Sequence, residues 1–150
     1  MFGGVMYTDK IKELSEILHM LIGQFQNKMK DKKYLHISKL STTEIGILQL
    51  LHDYPHIILK EICVRLNIPK STLTSAVNRL VKKGYVERAS MSNDKRAFSL
   101  CITETGTVVQ KEHLELEHSY LLQILNRLDT AEAETLLRLL KKSIGDDNHA

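Results

Sequence analysis

The sequence predicts a mainly α-helical fold carrying one small β-hairpin, and three observations predict it. Apolar residues recur at three- and four-residue steps through most of the 150 residues, the signature of amphipathic helices. Capping boxes and glycines cut that pattern into separate helices. Two short β-prone runs, residues 85–89 and 97–102, stand alone around a polar, turn-rich tip.

The first helix is expected over residues 8–29, where Ile11, Leu14, Leu18, Leu21 and Phe25 share one face. Asp31-Lys32-Lys33 breaks the pattern. Ser41-Thr42-Thr43-Glu44 then forms a capping box in which hydroxyl and carboxylate satisfy exposed amides, opening a helix over 42–53 that ends before Tyr54-Pro55. Ile58, Ile62 and Leu66 define a short third helix, stopped at Asn67-Ile68-Pro69 because a residue before proline is pushed out of helical geometry. Residues 71–83 place Leu73, Val77, Leu80 and Val81 on one face, with Gly84 as left-handed cap. After the hairpin, Thr103 caps a long helix reaching residue 127, Asp129 and Glu132 form a second capping box, and Gly145 ends the last helix ahead of a frayed tail.

Two short helices joined by a tight turn read as helix-turn-helix, and the hairpin behind them as a wing. The expected organisation is a single domain over 1–150. A winged helix-turn-helix at 42–103 is embedded in a helical dimerisation region made of 8–30 and 104–145. The flanking helices carry more apolar surface than so small a module can cover, which points to a homodimer.

Composition agrees. Hydrophobic residues make up 43% and charged residues 26%, values of an ordinary folded domain. Apolar stretches such as residues 45–51 fall far short of the roughly 20 residues of a membrane helix. The opening Met1-Phe2-Gly3-Gly4-Val5-Met6 lacks the basic region and long apolar core of a secretory signal. The expected location is cytoplasmic, with no membrane partner. The net charge of +3 is unevenly placed: nine basic residues against three acidic ones between Lys60 and Arg96 give that segment +6 and leave the remainder at −3. A basic module in a mildly acidic chain is the electrostatic footprint of a nucleic-acid reader, here of duplex DNA.

Residues 71–88, STLTSAVNRLVKKGYVER, together with Asn93-Asp94-Lys95-Arg96 and the following Leu100-Cys101-Ile102-Thr103, resemble the recognition helix and wing of the MarR family, and the likeness of element order extends over essentially the whole chain. The resemblance implies a transcriptional regulator, a repressor in the expected case, that binds an inverted-repeat operator as a homodimer and is released by a small-molecule effector. Effectors in this family are often anionic aromatics held in a crevice between the dimer helices and the reading module.

The expected DNA-binding residues are Lys70, Ser71, Thr72, Thr74, Ser75, Asn78, Arg79, Asp94, Lys95 and Arg96. The first six are polar groups opposite Leu73, Val77 and Leu80, suited to base edges and phosphates at a helix N-terminus. Ser71 and Thr72 serve equally as N-caps. Ser75 replaces the longer basic side chain of many relatives, which shifts base preference toward Thr74, Asn78 and indirect readout. Arg79 reads either as a phosphate contact or as an ion-pair partner beneath the wing. Arg96 suits insertion into a narrow minor groove; the resemblance implies that Asp94 orients it, with Lys95 adding phosphate attraction.

Three rival classes are weighed. Despite seven histidines, no HExxH, phosphate-cradling glycine loop or nucleophile elbow is present, so no enzyme and no cofactor is expected. A zinc-responsive regulator of the same fold would draw on Glu112, His113, Glu117 and His118, but Ile45 and Gly46 stand where zinc-sensing relatives place acidic and histidine ligands. A redox-responsive one would use Cys63, although Cys63 and Cys101 both sit in apolar company without CxxC spacing. The third class, after the enzyme and the zinc- or redox-responsive regulator, is a winged-helix module that mediates only protein contacts or binds RNA.

Overall fold

A computed structural model describes residues 4–55, 57–90 and 98–145. Among them run α1 (Gly4–Met29), two single-turn 3-10 helices (Lys32–Tyr34 and Ile37–Lys39), α2 (Thr42–Asp53), α3 (Leu59–Leu66), α4 (Lys70–Lys82), β1 (Val86–Ser90), β2 (Phe98–Ile102), α5 (Glu104–Leu125) and α6 (Thr130–Ser143). This is the expected mainly α fold with one antiparallel hairpin. Contacts group the chain into two compact units, Met1–Leu116 and Glu117–Ala150.

The core of the first unit explains the element order. Ile47, Leu48 and Leu51 of α2, Ile62 of α3, and Leu73, Ala76, Val77 and Leu80 of α4 close on Val86 and Leu100 of the hairpin and on Val109 and Leu116 of α5. Burying each such Leu or Ile contributes roughly 1.5 to 3 kcal/mol. Tyr34 and Ile37, in the segment where the apolar pattern breaks, join this core from the 3-10 turns. Ile58 departs from expectation: helix α3 starts one residue later, so Ile58 is its exposed N-cap residue, and Ile57 is buried instead. The amide of Ile58 is satisfied by the Glu61 carboxylate at 3.4 Å.

Helix ends follow local chemistry. Asn67 closes α3 in the left-handed region (φ 50°), its amide donating to the carbonyls of Cys63 and Val64. Gly84 (φ 76°) turns the chain from α4 into β1. The Thr103 hydroxyl donates to the Gly84 carbonyl at 2.7 Å and accepts the Gly106 amide at 3.0 Å, which ties the start of α5 to the end of α4. Gly106 is required there, because a Cβ would lie 2.0 Å from the Tyr85 carbonyl oxygen.

Apolar side chains also stand outside this core. Ile11, Leu14, Leu18 and Ile22 are exposed along α1, while Phe25 and Met29 at its end pack against the core. In the second unit, the Asp129–Glu132 capping box opens α6. Ile124, Leu128, Ala131, Leu136 and Leu139 line an open apolar groove of about 570 Å³. No described helix is long and apolar enough to cross a membrane.

Candidate nucleic-acid interface

Helix α4 is two-faced. Leu73, Ala76, Val77 and Leu80 are buried, whereas Lys70, Ser71, Thr72, Thr74, Ser75, Asn78 and Arg79 are exposed. The N-cap residue is Pro69, which makes no side-chain cap bond. Ser71 and Thr72 therefore lie inside the first turn rather than capping it. The first amides of a helix lack intrahelical partners and carry partial positive charge, so this end suits an anion. The exposed Thr74 donates its hydroxyl proton to the Lys70 carbonyl at 2.9 Å, which leaves that oxygen only its acceptor capacity for a ligand.

The position of α4 is fixed from behind by a buried carboxylate. Glu44 is 3% exposed. It accepts the Ser41 amide at 2.8 Å and the Lys83 ammonium at 2.9 Å, with Arg79 Nε at 3.5 Å. Burial alone would raise its carboxyl pKa, but the bonds from Ser41 and Lys83 outweigh burial and hold it below the usual glutamate value. The Arg79 side chain, half exposed, pairs with Glu44 while its surface remains open.

The hairpin adds a residue that the sequence reading missed. Side chains alternate along a strand, so Arg88 shares the face of β1 that Val86 turns into the core. Two residues farther out, Arg88 clears the core edge, and its Nη2 donates to Asn78 Oδ1 at 2.6 Å. The register pairs Arg88 with Leu100 and Val86 with Ile102. Alternation from Val86 is the signal the sequence offers for Arg88, which otherwise stands as one basic residue among nine in the basic segment. Asp94, Lys95 and Arg96, expected at the wing tip, lie outside the described residues.

The metal and thiol candidates fall elsewhere. Glu112 accepts the amides of His36 and Ile37 at 3.2 and 3.3 Å and pairs with His36 Nδ1 at 2.5 Å, so it anchors the 3-10 segment to α5. His113 is half-buried, with Nδ1 buried and without a hydrogen-bond partner, while Glu117 and His118 are exposed. Among the described residues, no three His, Cys, Asp or Glu side chains come together as a metal site. Cys63 is a free, half-buried thiol packed against the core, and Cys101 is a free, half-buried thiol on β2.

A helix-turn-helix whose second helix shows a polar outer face, backed by an antiparallel wing, defines a winged helix-turn-helix protein. Residues 38–97 match the family model described as MarR family. The chain is 30% identical over 138 residues to the multiple antibiotic resistance protein MarR of Escherichia coli, spanning 89% of this chain and 92% of that protein. It is 28% identical over 126 residues to the transcriptional repressor MprA of the same species, covering 83% and 70% of the two. Its fold is similar to that of a mutant Escherichia coli MarR complexed with operator DNA, with a TM-score of 0.66 and 26% identity over 90% of this chain and 96% of that one. The chain belongs to the MarR family, a family of transcriptional regulators rather than enzymes.

Proposed function

We propose that this regulator binds duplex DNA sequence-specifically as a homodimer, reading an inverted-repeat operator and acting as a cytoplasmic repressor. The exposed polar face of α4 carries the reading: Lys70, Ser71, Thr72, Thr74, Ser75 and Asn78 sit together above a buried apolar face, the geometry of a helix laid in a major groove. Similarity to MarR, known in complex with operator DNA, and to the repressor MprA supports it. In this reading Lys70, Ser71 and Thr72 hold phosphate, Thr74 and Asn78 meet base edges with Ser75 beside them, Arg79 divides its charge between Glu44 and the backbone, and Arg96 enters the minor groove, oriented by Asp94, with Lys95 adding phosphate attraction.

The dimer is supported by the exposed apolar residues along α1 in the first unit and, within the second unit, by the exposed Leu121, Leu122, Leu137 and Leu140, since apolar helix faces left to water mark interaction surfaces. The helical region assigned to it comprises 8–30 and 104–145, flanking the reading module at 42–103. Release by a small-molecule effector completes the proposal and rests on the family resemblance.

Duplex retardation across a salt series, paired with sedimentation, tests the reading. We expect a dimer at micromolar concentration and an affinity that falls steeply with salt, because each phosphate contact releases counterions. A monomer, or a flat salt response, would contradict it.

A further inference from the structure

We propose that Arg88 is a specificity-determining positioning residue, which fixes the Asn78 carboxamide as a hydrogen-bond donor toward DNA and so sets Asn78 to read guanine or thymine rather than adenine. The inference rests on the DNA-reading role assigned above to α4.

Arginine has five N–H donors and no acceptor. The carboxamide atom that meets Arg88 Nη2 at 2.6 Å must therefore be the oxygen of Asn78. Arg88 is held for this contact: its strand is paired in register with β2, and it lines a shallow crevice with Thr74 and Val77 of α4. With Oδ1 turned to β1, the group that Asn78 turns outward is its NH2.

An asparagine reads adenine through two bonds, accepting N6–H on its oxygen while donating to N7. That pairing would have to share the oxygen with the charged Arg88 donor, which holds the carboxamide with its oxygen toward β1 and so disfavours the two-bond geometry. A carboxamide that presents only its NH2 matches the two acceptors of guanine, O6 and N7, or O4 of thymine, whereas adenine offers it N7 alone, with its own N6 donor set beside it. Arg88 touches no base in this account; it acts by choosing which end of Asn78 does.

The test uses the full-length protein and its selected operator, with every base pair of a half-site substituted in turn. The position whose preference is lost in Asn78→Ala identifies the base that Asn78 meets. We expect guanine or thymine there, and we expect 7-deazaguanine, or removal of the thymine O4, to weaken the wild type by about tenfold while leaving Asn78→Ala unchanged. Arg88→Ala should move that one position toward adenine, and Arg88→Lys, which restores a donor, should largely recover the original preference. A purely structural role for Arg88 would lower affinity at all positions alike and would overturn the proposal. So would an adenine preferred at that position by the wild type, whether read through N6 or through N7 alone. If Asn78→Ala relaxes no position although the wild type is selective, Asn78 is not a reader, and this inference fails while the regulator reading stands. A wild type with no sequence preference would overturn both.

Discussion

The Lys83 ammonium donates to the Glu44 carboxylate at 2.9 Å, joining the C-terminal end of α4 to the first turn of α2. The same carboxylate closes the Ser41 capping box. One buried charge thus caps a helix and fixes the angle at which α4 is presented.

Glu44→Ala is expected to destabilise the fold by about 2 kcal/mol, more than the roughly 1 kcal/mol of a lost cap. It should cost less than the roughly 3 to 5 kcal/mol of breaking a fully buried pair, because Lys83 and Arg79 remain partly solvated. Urea denaturation, compared at unchanged slope, measures it. A loss no larger than that of Ser41→Ala would show that Lys83 and Arg79 add nothing.

Acid should remove this contribution. The Glu44 carboxyl lies below its unfolded value, so its stabilisation is complete above the ordinary glutamate pKa of about 4.3 and is lost as pH falls through the lower folded value. Wild type and Glu44→Gln should therefore converge in stability on acidification and stay apart at neutral pH. A difference that grows toward low pH would mean that the folded carboxyl titrates above the unfolded one.

Two glycines should separate steric need from backbone need. Gly106→Ala meets the Tyr85 carbonyl oxygen, and backbone cannot step aside, so a loss at or above the roughly 1 to 3 kcal/mol of overpacking is expected. Gly84→Ala meets open space and should cost only the roughly 1 to 2 kcal/mol of a left-handed residue. Thermal unfolding of both variants checks the order, and a milder effect at Gly106 would refute the close approach.

Much of this was legible in sequence for physical reasons. Capping boxes are local, so Ser41–Glu44 and Asp129–Glu132 were readable from spacing alone. The buried face of α4 followed from its period. Tyr34 and Ile37 were not readable, since single 3-10 turns carry no repeating pattern, and their burial comes from partners far along the chain. The Glu112 anchor to His36 and Ile37 spans more than seventy residues, and nothing in the Glu112-His113 pair distinguishes a tether from a metal ligand. Alternation from Val86 gives the face of β1 that Arg88 shares, but that Asn78 of α4 meets it there is set by packing between elements, which no local pattern specifies.

On the proposed role of Arg96, Arg96→Ala should weaken operator binding by on the order of 1 to 3 kcal/mol per half-site and lower the salt slope by about one unit, with folding and dimerisation unchanged. Asp94→Ala should also weaken binding, although it removes a negative charge. Retardation assays with both variants decide the matter: tighter binding by Asp94→Ala would make Asp94 a repulsive surface charge rather than the residue that orients Arg96.

Footprinting of the wild-type protein on a duplex selected from random sequence reads the symmetry of the bound complex. Two-fold symmetry requires two protected half-sites in inverted orientation, about 10 base pairs apart, centre to centre. A single asymmetric half-site, or protection that ignores sequence, would contradict a dimeric operator-reading regulator.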